Sequence, residues 1–208
     1  YKLMFEGIEM NKKKLAMFLS KLEGFISSDA KLEQYATDSE IAADILWRAF
    51  LGGDIKGKRV VDLGCGNGVL GIGALKLGAK KVYFVEKDKK VLEVLKRNLG
   101  GFKDYEIFIG DVSGFSESVD VVIENPPFGV QVRKADEKFL LKATEVSKKI
   151  YSFHKIESSK FIETICSLNG FKVVGVVEYD FLLWKTMKFH KKRKYYVKVG
   201  CWILEKKK

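Results

Sequence analysis

The sequence predicts an α/β fold: a doubly wound, mostly parallel seven-stranded sheet with an N-terminal helical extension and an antiparallel C-terminal hairpin. Two observations predict it. Short apolar runs alternate with helical segments between residues 59 and 168, which is the pattern of βαβ units. Two further strand-like runs near the C-terminus lie too close together for a parallel crossover, so we expect them to pair antiparallel.

The predicted elements follow in order along the chain. Apolar residues at helical spacing predict helices over 11–23 and 39–51, and Asp38 or Ser39 can cap the second. Strands are predicted over 59–63, 81–86, 105–110, 119–124, 149–153, 171–180 and 195–204, with helices over 69–77, 88–99, 137–148 and 157–168. We predict a single domain over 1–208, in which 1–51 is the helical extension and 52–208 the Rossmann-like core with its basic hairpin.

Composition limits the class of protein. The three cysteines, Cys65, Cys166 and Cys201, are scattered without paired spacing, which predicts neither a disulfide framework nor a metal site. No stretch approaches the roughly 20 uncharged apolar residues that span a membrane. We therefore expect a soluble, cytoplasmic protein that holds no metal.

Positive charge is concentrated at the C-terminal end. Ten Lys or Arg residues between Phe181 and Lys208 stand against one acid, Glu205, and supply nine of the eleven net positive charges. Cations interleaved with aromatic residues over 185–196 suit phosphate contact and base stacking, although a solvated hairpin has the same composition. The candidate RNA-binding residues are Lys188, Lys191, Lys192, Arg193 and Lys194, together with Arg133 and Lys134 in an earlier loop.

A glycine-rich loop follows the first predicted strand of the core. Residues 62–71 read DLGCGNGVLG and open a helix. Gly64, Gly66 and Gly68 allow positive φ and a close approach of backbone N–H groups to a ligand, while Cys65 is a small residue within the loop. The spacing fits both a methyltransferase and a dinucleotide-binding enzyme.

Acids at three strand ends favour the methyltransferase. Asp62 can orient a methionine ammonium group but would repel a pyrophosphate, and Glu86 can accept from both ribose hydroxyls of a bound nucleoside. Asp111, with Val112 beside it, is placed to contact the adenine. These acids predict S-adenosyl-L-methionine as the cofactor.

The tetrapeptide after the fourth strand predicts the reaction. Two prolines fix φ and remove two amide donors, so the Asn125 side chain and the Pro126 carbonyl are expected to hold both hydrogens of an aromatic amino group. The nitrogen lone pair then points at the methyl donor. With Pro127 making the corner rigid and Phe128 offering a stacking face, the sequence predicts methylation of an exocyclic amine on a nucleic-acid base.

The chain resembles the archaeal and eukaryotic class I methyltransferases that make N6-methyladenosine in small-subunit ribosomal RNA. The resemblance runs from about Leu32 to His154, with Phe153 where Leu is common. It rests on LEQYxT at 32–37, the loop 62–68, NPPFG at 125–129, Asp136 with Leu140, and YSFHK at 151–155.

The resemblance implies further properties. Gln34, Tyr35 and Thr37 of the first motif would help to bind the cofactor, and the target adenine would sit against residues 125–128. It also implies a small zinc-ribbon activator protein that adds a strand beside Tyr105–Ile109.

Four alternatives stay open on the sequence alone. A guanine-N2 methyltransferase shares the tetrapeptide, and a protein-glutamine methyltransferase shares the fold. An RNA-binding protein without turnover and a nicotinamide dehydrogenase are alternatives of other classes. The strand-end acids and the tetrapeptide are intact, which argues against an RNA-binding protein without turnover. Asp62 argues against the dehydrogenase.

Overall fold

The structure is a computed structural model that describes residues 3–5, 8–24, 37–127, 135–184 and 194–207. Its strands are β1 (Leu3–Phe5), β2 (Ile8–Met10), β3 (Arg59–Leu63), β4 (Lys81–Glu86), β5 (Tyr105–Ile109), β6 (Val121–Glu124), β7 (Lys149–Lys155), β8 (Phe171–Trp184) and β9 (Lys194–Lys206). Its helices are α1 (Lys12–Leu19), α2 (Ser39–Leu51), α3 (Val69–Lys76), α4 (Lys89–Asn98), α5 (Ala135–Val146) and α6 (Ser159–Leu168). Within these described ranges no helix is both long and apolar enough to cross a membrane.

Seven strands form the main sheet, in the order β5-β4-β3-β6-β7-β9-β8. The first five are parallel, while β9 pairs antiparallel with both β7 and β8. The predicted α/β class, the strand count and the antiparallel C-terminal pair are therefore confirmed. The strand predicted over 105–110 lies at one edge of the sheet.

Apolar side chains cover both faces of the sheet, as a doubly wound fold requires. One core cluster joins helices α1 to α4 to residues such as Val60 and Phe84, and the other joins α5 and α6 to residues such as Val122 and Trp202. Helix α3 packs so tightly that a Cβ on Gly71 would overlap the ring of Phe84. This close packing fixes the end of the glycine loop against the sheet.

The N-terminal extension differs from the prediction in two ways. A small antiparallel pair, β1 with β2, precedes the first helix, because strands of three residues are too short to leave a periodic pattern. The helix predicted over 11–23 ends at Leu19, where the chain tightens into i→i−3 bonds from Lys21 N to Phe18 O and from Leu22 N to Leu19 O.

Candidate active site

Strand register brings the glycine loop and the proline corner together. Leu63, the last residue of β3, lies opposite Glu124, the last residue of β6. The next residues along the chain are Gly64 and Asn125, so the two predicted motifs leave the same edge of the sheet side by side. In open α/β sheets, ligands bind at this carboxyl edge.

The glycine loop is held in a left-handed conformation. Gly64, Gly66 and Gly68 have φ angles of 67°, 56° and 86°, a region that side chains rarely adopt. Gly64 also needs its lack of a side chain, because a Cβ there would lie 2.6 Å from the ring of Phe139. The Cys65 thiol is buried, and burial raises its pKa well above the ordinary value. A protonated, buried thiol suits packing better than nucleophilic chemistry.

Asp62 is buried beneath the loop, with 1% of its surface exposed. Its Oδ2 accepts a hydrogen bond of 2.8 Å from the backbone N–H of Gly71, which ties β3 to the first turn of α3. Burial, helped by the nearby negative charge of Glu86, raises the pKa of Asp62 to about 7. A cationic ligand here would relieve both effects.

Glu86, at the end of β4, organises the backbone around the loop. Its carboxylate accepts hydrogen bonds from the N–H groups of Gly66 at 3.1 Å and of Lys87 and Asp88 at 2.9 Å each. A carboxylate has about four acceptor positions, so these described bonds occupy most of them. Glu86 therefore has a structural role in holding the loop, in addition to the predicted role of accepting from the ribose hydroxyls.

Asp111 and Val112 lie just beyond β5. Asp111 caps a short 3₁₀ turn by accepting from the N–H and the hydroxyl of Ser113, and it forms an ion pair with Lys138 of α5. Partial burial opposes its ionisation, but Lys138 and Ser113 outweigh burial and lower its pKa to about 2. Asp111 is therefore a charged acceptor, and the buried Val112 side chain lies beside it.

The amide of Asn125 is oriented by Thr37. Asn125 Nδ2 donates to Thr37 Oγ1 at 3.0 Å, across 88 residues of sequence. Since the NH2 end is engaged in this way, the oxygen Oδ1 is the acceptor end of the amide, and it lies buried. Pro126 is buried beside it and Pro127 is half-buried. The first motif of the resemblance thus contacts the proline corner.

A hydrogen-bonded clamp formed by Glu23, Arg97 and Asn98 was not predicted from the sequence. Asn98 of α4 accepts from Glu23 N at 2.8 Å and donates to the carbonyls of Glu23 and of Asn67 in the glycine loop, at 3.0 Å each. Arg97 binds the Glu23 carboxylate through two bonds of 2.7 Å. The N-terminal segment is thereby attached to the cofactor loop. Because the clamp joins residues 75 positions apart, no local pattern could have revealed it.

Several predicted site residues lie outside the described residues. They are Gln34, Tyr35, Phe128, Arg133, Lys134, Lys188, Lys191, Lys192 and Arg193. Lys194 is described as the first residue of β9, where it lies opposite Trp184.

Comparison with known proteins identifies the family. The sequence pattern of the family described as the methyltransferase small domain matches residues 36–150. This range includes the glycine loop, all three strand-end acids and the proline corner. The chain belongs to the methyltransferase small domain family.

Relatives match over almost the whole chain. The uncharacterized protein MJ0284 of Methanocaldococcus jannaschii is 35% identical over 95% of both chains. The rRNA N(6)-adenosine-methyltransferase METTL5 of Danio rerio is 33% identical over 88% of this chain and 93% of its own. The crystal structure of PH1948 from Pyrococcus horikoshii, described as a candidate RNA methyltransferase, is 45% identical with a TM-score of 0.89 and covers 99% of this chain and all of its own.

The protein is therefore an S-adenosylmethionine-dependent methyltransferase with the class I fold. The residues fit that cofactor in two respects. Three left-handed glycines bring the loop backbone to the carboxyl edge of the sheet, and the buried Asp62 calls for a positive partner such as the methionine ammonium group. When bound, the cofactor supplies an activated methyl group.

Proposed function

We propose that the protein transfers a methyl group to the N6 amino group of adenine in RNA, most specifically in small-subunit ribosomal RNA. One observation carries the proposal: the amide of Asn125, fixed by Thr37, leaves the sheet beside the cofactor loop. The name of the METTL5 relative, which matches across both regions, supports adenine in rRNA as the target.

The chain contributes position and electrostatics to this reaction. The Asn125 side chain and the Pro126 carbonyl accept the two N–H groups of the adenine amine, which turns the nitrogen lone pair toward the methyl group. Phe128 provides a stacking face, worth about 1–3 kcal/mol for a base. Because the methyl donor is already activated, placement in line would supply most of the rate enhancement, and the methylated nitrogen would release its extra proton to water without a strong base.

The proposal also includes the predictions for the domain, the compartment and the RNA-binding residues. We propose that 1–208 acts as one methyltransferase domain in the cytoplasm, where its three free, buried cysteines stay reduced. The basic run over 185–194 would grip the RNA backbone, since it holds six Lys or Arg residues and no acid. Arg133 and Lys134 would contact the RNA next to the proline corner.

Mass spectrometry of nucleosides tests the target. Small-subunit rRNA incubated with the protein and methyl-labelled cofactor is expected to yield labelled N6-methyladenosine. The same RNA incubated with heat-inactivated protein serves as the control. Labelled N2-methylguanosine would instead identify a guanine enzyme, and label found only in ribosomal proteins would identify a protein methyltransferase.

We also propose that a small zinc-ribbon activator docks on β5. This edge strand is apolar yet exposed: Phe108 and Ile109 have 36% and 56% of their surfaces accessible. An edge strand presents unpaired backbone N–H and C=O groups on its outer side, so an added strand would satisfy them and cover these side chains.

Ile109→Lys tests this docking surface. The charge is expected to weaken binding of a zinc-ribbon protein by tenfold or more, because a lysine at a buried interface loses its hydration (about 1.4 kcal/mol per tenfold). Val176→Lys is the matched control, since Val176 is a similarly exposed residue, at 42%, on the opposite edge strand β8. Equal affinities of the two variants, measured by titration, would place the partner elsewhere.

A further inference from the structure

A chain of three buried polar groups lies behind the proline corner. Glu124, Ser152 and His154 have at most 1% of their surfaces exposed. Ser152 Oγ is 2.6 Å from Glu124 Oε1 and 2.7 Å from His154 Nε2. Glu124 and Ser152 are register partners on β6 and β7, so the chain of hydrogen bonds runs across the two strands directly before Asn125.

Two proton arrangements satisfy both hydrogen bonds. In one, the Ser152 hydroxyl donates its single hydrogen to Glu124 Oε1 and His154 Nε2–H donates to the serine oxygen. In the other, a proton on Glu124 Oε1 is donated to the serine oxygen, and the Ser152 hydroxyl donates to His154 Nε2. Among the described residues, Glu124 Oε2 is buried and has no hydrogen-bond partner.

The surroundings of Glu124 and His154 favour the neutral form of both side chains. The titratable groups around Glu124 are the buried Asp62 from β3, the buried Cys201 from β9 and, through Ser152, His154. In the described part of the chain no lysine or arginine forms an ion pair with Glu124. Burial raises the pKa of Glu124 to about 8 and lowers that of His154 to about 3, so both are neutral near pH 7.

We propose that Glu124, Ser152 and His154 form a positioning device that ties the end of β6 to β7 and thereby fixes the corner that starts at Asn125. The inference rests on the role proposed for Asn125. Asn125 follows Glu124 directly, so a shift at the end of β6 moves its amide with it. Displacements on the order of 1 Å in such a site cost up to about a hundredfold in rate.

Removing the central hydroxyl tests the device. Ser152→Ala leaves Glu124 and His154 buried without their shared partner, so kcat is expected to fall tenfold or more while the cofactor KM stays within about twofold. Ser147→Ala is the matched control: this serine is also buried and bonds the carbonyls of Ala143 and Lys149, but it precedes the other end of β7. Equal kcat values for the two variants would overturn the proposal.

Glu124→Gln tests the neutral form without any substrate. The native protein keeps a proton on Glu124 that the unfolded chain releases above its ordinary pKa of 4.5, so wild-type stability falls as the pH rises from there toward 8. Glutamine is uncharged throughout. The melting temperature of the variant relative to wild type is therefore expected to increase between about pH 5 and about pH 8. A constant difference would show that Glu124 is ionised and would sink the inference.

The alkaline limb of the kcat–pH profile links the device to turnover. Wild-type kcat is expected to fall as Glu124 ionises around pH 8, because a buried charge would disturb the bonds to Ser152 that hold the corner, whereas the kcat of Glu124→Gln, relative to its own value at pH 7, stays constant at higher pH. An identical limb in both proteins would overturn the inference alone. Full transfer by a variant lacking the Asn125 amide would instead refute the proposed function, and the two failures are thus distinguishable.

Discussion

Asn125→Ala is expected to reduce methyl transfer by about 10²–10³-fold while cofactor affinity stays within about threefold. Alanine removes the oxygen that holds one hydrogen of the target amine, so the lone pair is no longer turned toward the methyl group. It also removes the bond to Thr37, which frees one polar group but leaves the glycine loop and its acids in place. The loss should therefore appear in kcat.

Two measurements separate chemistry from binding for this variant. Single-turnover transfer from labelled cofactor reports the chemical step, and equilibrium titration with the cofactor reports affinity. Asn169→Ala is a suitable control, because that asparagine bonds the Ile165 carbonyl at the end of α6, away from the proline corner. If affinity fell as much as the rate, Asn125 would be a cofactor-binding residue instead.

Local pattern was sufficient to predict the sheet and the neighbourhood of the site. Alternating apolar runs and helices predicted βαβ units, and parallel strands carry their carboxyl ends to one edge. Asp62, Glu86 and Asn125, each at or just after a strand end, were therefore predicted to be neighbours without knowledge of strand order. The register of β3, β4 and β6 agrees with this.

The contacts that orient the site depend on pairing that no local pattern contains. Ser152 and Glu124 are 28 residues apart, and their bond depends on which residues of β6 and β7 lie opposite each other. The sequence also gave no sign that Glu86 would spend most of its acceptor positions on backbone N–H groups, because those groups are presented by the folded loop.

Asp62→Asn is expected to weaken cofactor binding by about 10–100-fold, equivalent to about 1.4–2.7 kcal/mol. Asparagine keeps an oxygen that can accept from Gly71 N–H, so the start of α3 is preserved while the negative charge is lost. Because burial raises the pKa of Asp62 to about 7, the cofactor-free variant is expected to gain stability to heat relative to wild type as the pH rises toward 7, so the loss of affinity cannot be ascribed to unfolding. The variant thus isolates the charge of Asp62 from its structural bond.

The pH dependence of cofactor binding is a second test of whether the Asp62 carboxylate faces the positive charge of the cofactor. Its pKa is raised to about 7, mainly by burial, so part of the protein carries a proton there near neutrality. A cationic ligand favours the carboxylate, and binding is therefore expected to release a proton and to strengthen as the pH rises from about 6 to about 7.5. Calorimetry in two buffers of different ionisation enthalpy measures that proton. Ionisation of the ligand itself is common to both proteins, so the same proton release from wild type and Asp62→Asn would show that Asp62 does not face the cofactor's charge.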